Sequence, residues 1–459
     1  MLYKFKKLKI YLLLLMGICN TALAQVHPMP ELNNANVSKY TKICRENIYK
    51  EMKGMYREKG KAMNYPFLAP GSQAYNDMIW DWDSWLSDVA LRQILQENGT
   101  AKDRQEAFAY EQGCILNFLS FGSLEGYIPE YMVRDDKTGG ERRPANYTDW
   151  NMHKPVLAQH AAFIIKNRGG HAEWLRESFF NLQAFENNYL SHYRNQPTGL
   201  LFWATDAGIG VDNDPCTFGR PNKSSGSIFL NCLMYKEMLA MVYLANQLNL
   251  QEIASNYQIY ADEFKTAIQK NCWDERNGFY YSVDFNLIHH KPETHGGLHA
   301  GGPLSWNCLI QRIDVWSGFL AMWAGIAEPE QAKRMVEENY KNTKTFNSPA
   351  GIRSLSKLEK MYTIKASGNP SCWLGPVWIN ANYLTWKGLV KYGFTEEAKE
   401  LAKKTIVVLG YDYERYGALH EYYQPENGEP VLNKGFQNWN FLVLNMAAWL
   451  DGKPVVEEF

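Results

Sequence analysis

An α-toroid, with helix pairs arranged around a central pit and loops at its mouth, is the fold that the sequence predicts. Three observations carry it. Amphipathic helical stretches recur along the chain, short links join them into pairs, and long polar loops separate the pairs. No shift of composition marks a linker, so residues 25–459 read as one domain.

Residues 1–24 stand apart from that domain. Lys4, Lys6, Lys7 and Lys9 precede an apolar run from Ile10 to Ile18, and Ala22 and Ala24 follow at A-x-A spacing. The pattern predicts a secretory signal peptide cleaved after Ala24, and hence an exported protein, periplasmic or secreted. No other run approaches the length of a transmembrane helix, so no membrane partner is expected after cleavage.

Within the domain, Leu230, Met234, Met238, Met241 and Ala245 recur at helical spacing, as do Ile253, Tyr257, Phe264 and Ile268. A short "NLQ" link makes the two stretches a hairpin. "GFYYSVDF", Gly278 to Phe285, reads as a strand of a small β-hairpin. A second helix pair is "VWSGFLAMWAGIA" with "EPEQAKRMVEENY". A third is "GPVWINANYLTWKGLVKYG" with "TEEAKELAKKTIVVLG", where Gly393 stops the first helix and Thr395 is placed to cap the second. About a dozen helices fit the chain. The loops between them, such as "VRDDKTGGERRPANYTDWN" and "TDAGIGVDNDPCTFGRPNKSSGS", are rich in aromatic, acidic and Arg residues, which points to function.

A net charge of −1 argues against nucleic acid or an anionic membrane as the main partner. Seven of the eight cysteines lie beyond residue 24, without a CxxC pair, and read mostly as buried small apolar residues. Aromatic residues make up 14% of the chain, with 15 Trp and 28 Tyr, which suits either a large aromatic core or the stacking of sugar faces on flat rings.

Metal and nucleotide chemistry find no support in the motifs. A calcium loop starting at Asp212 would have Cys216, Thr217 and Lys223 at positions that need an oxygen ligand, Gly and Glu. His420 opens "HEYYQ", where a zinc motif needs a second His at Gln424. His289, His290, His295 and His299 show no ligand spacing, and Walker and GxSxG patterns are missing from the sequence. Neither a metal nor another cofactor is expected.

Carboxylates in aromatic loops are the chemistry that is left. Hydrolysis of a glycosidic bond needs two, one protonated and one ionised. Asp212 in "GVDNDP" and Glu421 in "HEYYQPENG" are candidates; an Asx-turn or helix cap for Asp212 and a solvated turn for Glu421 are the alternatives.

From about Asp77 to Trp449 the chain resembles glycoside hydrolase family 63, with trehalases as more distant relatives. The resemblance rests on "WDWDSW" at Trp80, "GYIPE" at Gly126, "HKPVLAQ" at His153, "GVDNDP", "WDERNGFYYSVD", "WLGPVWINANY", "HEYYQPENG" and "FQNWNF", in family order. It implies an (α/α)6 six-hairpin fold and an inverting, exo-acting α-glycosidase that releases a terminal glucose or related hexose from an oligosaccharide or small glycoside. Asp212 would be the general acid, held protonated by partly buried, aromatic surroundings, and Glu421 the general base. Asp83, Gln159 and Tyr422 would contact the sugar, and Trp82, Trp373, Trp378 and Trp439 would wall the pit. Asp214 and Pro215 would shape the acid's loop.

The chain departs from the family pattern at Gly208 and Ile209, where relatives often carry Glu and Ser, and at Asn427 and Asn440. The N-terminal β-sandwich of larger members has no counterpart. Arg220, Arg142 and Arg143 would reach an anionic aglycone or else be solvated loop charges. Two other readings stand beside this one: a different toroid chemistry, trehalase-like or a lyase using Tyr147 with His153, and a glycan-binding protein without turnover. Oligomeric state is not legible in the sequence.

Overall fold

The computed structural model describes residues 28–136, 150–287 and 306–459. The expected signal peptide, Arg142, Arg143, Tyr147 and the four-histidine group lie outside the described residues.

Among the described residues there are twelve helices: α1 Asn34–Glu51, α2 Asp81–Asn98, α3 Ala101–Phe121, α4 Leu157–Asn167, α5 Phe179–His192, α6 Ile228–Gln247, α7 Gln251–Cys272, α8 Leu320–Ala324, α9 Pro329–Arg334, α10 Ile379–Lys391, α11 Thr395–Tyr416 and α12 Val443–Leu450. Short turns of tighter or wider helix lead into α8 and α12 and extend α9. The even-numbered helices form a closed inner ring. From α2 to α10 each packs on the next, and the turn Asn438–Leu442 ahead of α12 closes the circle by packing on both α10 and α2. The odd-numbered helices lie outside, so the fold is the expected (α/α)6 toroid.

Amphipathicity sorts the two rings. α6 is apolar almost all round because it is covered on both sides, and its buried residues run from Ile228 to Ala245. By length and composition alone α6 could cross a membrane, which corrects the expectation that no run beyond the leader is long enough. Here it forms an inner wall of the toroid. α7 buries one stripe, Ala254, Tyr257, Ala261, Phe264 and Ile268, and leaves the opposite face to solvent.

Local signals hold with two exceptions. Gly393 does end its helix, with φ +79°. Thr395, however, is already inside α11, its hydroxyl donating to the Gly393 carbonyl, while Phe394 takes the cap position without a side-chain bond. "GFYYSVDF" splits between two small sheets: Phe279–Tyr280 pairs with Trp273–Asp274, and Val283–Asp284 pairs with Ser225–Gly226 and Leu309–Ile310. The seven described cysteines are free thiols, and all but Cys308 are buried.

One buried acid pair ties the rings together on the side of α4. Glu237 of α6 accepts hydrogen bonds from the backbone N–H of Ala158 (2.6 Å) and Gln159 (3.0 Å), filling the free donors at the start of α4. Glu186 of α5, also fully buried, sits against Glu237, and burial together with that charge pushes its carboxyl well above the ordinary range. The fold thus favours protonated Glu186. Its contribution is complete below the ordinary glutamate range and declines as pH rises above it. Glu186→Gln keeps a donor without needing the proton, so the variant should be more stable than the wild type at pH 8, by roughly 1–3 kcal/mol, and melt at a higher temperature there, with no gain at pH 4. Thermal unfolding across that range checks it.

Candidate active site

The loops that enter the inner helices at their N-termini converge on a cavity of about 460 Å³. That size suits a small molecule, for which roughly 300–1,000 Å³ is usual. Its wall includes Tyr75, Trp82, Asp83, Glu130, Asp212, Trp373, Trp378, Glu421, Asn433 and Trp439. Asp83 lies in the first turn of α2, Trp378 caps α10 and Trp439 lies in the turn before α12. Helix N-termini carry partial positive charge, which favours carboxylates at this end of the toroid.

The indoles form a continuous surface. Trp373 stacks on Trp378 at 4.0 Å and 7° between planes, Trp82 lies 6.0 Å from Trp373, and Trp439 meets Trp82 edge-on at 5.5 Å. Beneath Trp82, Lys154 holds both carboxylate oxygens of Asp81, at 2.8 and 2.9 Å, and both residues are buried. Its ammonium also lies 5.5 Å from the centre of a Trp82 ring. Gly210 rests on this lysine with φ +73°, and a Cβ there would stand 2.3 Å from Lys154 Cε. Only a glycine lets the loop pass so close on its way to Asp212.

Glu421 is 4% exposed. It accepts from Asn433 Nδ2 and from the Tyr75 hydroxyl, the latter at 3.2 and 3.3 Å. Burial pushes its carboxyl up to about 7; the bonds from Asn433 and Tyr75 act the other way, and the charge of Asp212 adds to the rise. Asp212 is half-buried, and its Oδ2 accepts from Asn369 Nδ2 at 2.9 Å. Asp83 accepts from Asn438, and burial with the neighbouring Asp81 charge pushes it well above the carboxylate range. Asp214 is buried, and its Oδ1 takes the Cys216 N–H in a tight Asx turn that bends the loop.

Asp83, Asp212, Glu421, Trp82, Trp373, Trp378 and Trp439 therefore share one wall. Three residues expected to contact the substrate do not line this cavity. Gln159 is fully buried in α4, where its amide donates to the carbonyls of Pro155 and Leu233. Arg220 pairs with Asp284 at 2.5 Å beside the small sheet. Tyr422 stacks behind Trp378 at 4.7 Å and donates to the Pro370 carbonyl at 2.8 Å, one layer back from the cavity. His153, the candidate lyase base, is buried between Phe118 and Phe185, and burial depresses its pKa to about 4.

Sequence reasoning missed Tyr75, Glu130, Asn369, Asn433 and Asn438. Asn433 and Asn438 adopt left-handed backbone (φ 40° and 34°), which asparagine tolerates better than most residues. "LNKG" and "QNW" were the available signals. The family departure at Gly208 lies on the cavity wall, where a Cβ would stand 2.9 Å from the Glu130 carboxylate.

Comparison with known proteins agrees with this geometry. Residues 75–440 match the family described as "Mannosylglycerate hydrolase MGH1-like glycoside hydrolase domain". The chain is 25% identical to mannosylglycerate hydrolase MGH1 of Selaginella moellendorffii, over 89% of this chain and 84% of that protein. It is 24% identical to the cytosolic neutral trehalase of Kluyveromyces lactis over 78% of its own length, and spans about half (50%) of that relative. The crystal structure of a family 63 mannosylglycerate hydrolase from Thermus thermophilus in complex with glucose superposes with a TM-score of 0.61 at 20% identity, covering 89% of this chain and 98% of that one. It shares the fold.

The surroundings of Glu421 fix a titration. Its carboxyl should ionise near pH 7, and Asn433→Ala or Tyr75→Phe, each removing a donor to the charged form, should raise that value. Carbon-detected NMR of labelled glutamate, with Glu421→Gln to assign the signal, reads it directly. Titration in the ordinary glutamate range would contradict the description.

Proposed function

Because the chain belongs to the mannosylglycerate hydrolase MGH1-like glycoside hydrolase family, we propose that it is an exo-acting, inverting α-glycosidase. It removes a terminal α-linked glucose or related hexose from an oligosaccharide or small glycoside. One observation carries the reading: two carboxyl groups from distant loops meet in a single tryptophan-walled cavity, in different surroundings. Sugar faces stack on the indoles, and Asp83 takes hydroxyl protons as hydrogen bonds. Asp212 gives its proton to the glycosidic oxygen as the C1–O bond breaks. Glu421 accepts a proton from the water that attacks C1 from the opposite face, so the sugar leaves with inverted configuration. The charge pattern of residues 1–24 supports export of the protein, which cell fractionation with N-terminal sequencing tests.

Relatives named mannosylglycerate hydrolase and trehalase set the assay panel: mannosylglycerate, trehalose and α-glucosyl disaccharides. At least one should be hydrolysed, with the released terminal sugar appearing first as its β-anomer by NMR; from trehalose, whose leaving group is itself an α-glucose, inversion gives equal amounts of the two anomers. Asp212→Asn and Glu421→Gln should each lower kcat by about 10²–10⁴-fold. Retained configuration, or activity that survives both substitutions, would overturn the mechanism; binding without turnover of any substrate would favour a glycan-binding protein.

A base that titrates near 7 also sets the pH profile. Since ionised Glu421 is the active form, kcat/KM should rise with pH, pass half its maximum near 7 and level off above it. Asn433→Ala should move that rise to higher pH.

A further inference from the structure

Segment Asn369–Trp373 connects the loop of Asp212 to the loop of Glu421. Asn213, next to Asp212, grips its backbone twice: Oδ1 accepts the Trp373 N–H at 3.1 Å, and Nδ2 donates to the Ser371 carbonyl at 3.0 Å. Asn213 reaches it from left-handed backbone, φ 54°. Tyr422, next to Glu421, donates to the Pro370 carbonyl at 2.8 Å. The strap is thus pinned on one side by the neighbour of one carboxyl and on the other side by the neighbour of the second.

Asn369 is the point where the strap touches the chemistry. Its Oδ1 accepts the N–H of Ser371 at 3.0 Å, which orients the amide and turns Nδ2 toward Asp212 Oδ2 at 2.9 Å. In a protonated carboxyl the carbonyl oxygen is a much better acceptor than the hydroxyl oxygen, so a bond received at Oδ2 favours the tautomer with the proton of Asp212 on Oδ1. We infer that Asn369 is a positioning residue for the general acid: it fixes which oxygen of Asp212 bears the proton and aims that oxygen at the leaving group.

The inference rests on the reading of Asp212 as proton donor, and leaving-group dependence tests the two separately. An α-glycosyl fluoride of the sugar that the wild type releases departs as fluoride, with little need of a proton, whereas a disaccharide needs one. Asp212→Asn should lose far more activity on the disaccharide than on the fluoride. Asn369→Ala should follow the same pattern at smaller size, with kcat down about 10–100-fold on the disaccharide, KM within about threefold, and little change on the fluoride. Asn369 is exposed, so the variant should fold, and an unchanged melting temperature confirms that it does. Equal loss on both substrates, or no loss on either, would overturn the positioning role. Equal loss on both by Asp212→Asn would instead overturn the assignment of the acid beneath it.

Discussion

The buried ion pair between Asp81 and Lys154 is the interaction on which the site depends. Lys154 gives three hydrogen bonds to Asp81, two from the ammonium and one from its backbone N–H. Asp81 in turn donates its own N–H to the Glu130 carbonyl, which joins the strand of Tyr131–Val133 to the start of α2. The first turn of α2, carrying Trp82 and Asp83, is thereby fixed against the loop before α4. The glycine-rich loop that carries Asp212 then lies on the lysine through Gly210. Charges taken out of water gain little net stability from each other, but removing one partner strands the other at a cost of about 3–5 kcal/mol. Such a pair is better understood as a positional lock than as a source of stability.

Electrostatics explains why that lock is a salt bridge. Asp83, Asp212 and Glu421 face the cavity, Asp81 lies just beneath it, and like charges at close range raise one another's pKa. Lys154 lowers that of Asp83, as the convergent helix N-termini do more weakly for the whole group. On the opposite wall the counterweight is made of hydrogen bonds. Leu432 and Asn433 both adopt left-handed backbone, φ 63° and 40°, just beyond the strand Pro430–Val431 that pairs with Tyr422–Tyr423. A leucine in that region costs roughly 1–2 kcal/mol. The strained turn is what brings the Asn433 amide to the Glu421 carboxylate.

Periodicity made the toroid legible because each hairpin is a local object: α6 and α7 meet through a three-residue link, and their apolar patterns differ according to how many faces are covered. The tryptophans and the two carboxyls were legible through their motifs. Gln159 shows where motif reading fails. Its side chain is consumed by the carbonyls of Pro155 and Leu233, and its N–H by Glu237, so it joins α4 to α6 away from the cavity. Arg220 was misplaced because its partner, Asp284, is brought near by a sheet that no local pattern foretells. Asn369, Asn433 and Asn438 escaped notice for a related reason. A single asparagine in a loop says nothing about which distant carboxylate it will meet, and each contact here spans either a strained turn or much of the chain.

The burial of the two carboxyls at first runs against their proposed roles, since the more deeply buried group, Glu421, is the one that must be ionised. Topology resolves the conflict. In a pit that takes a terminal sugar, the scissile oxygen joins the enclosed ring to an aglycone that points toward solvent. A proton donor to that oxygen belongs near the mouth, which is where half-buried Asp212 and exposed Asn369 lie. The base must act across the ring, on a water held away from bulk solvent, and it needs fixed donors to keep its charge there. Asn433 and Tyr75 supply them. Burial raises the basicity of Glu421, which suits the proposed role of taking a proton from water, while the two donors limit the rise so that the group ionises as pH passes about 7. Depth therefore sets the basicity of Glu421, the proposed base.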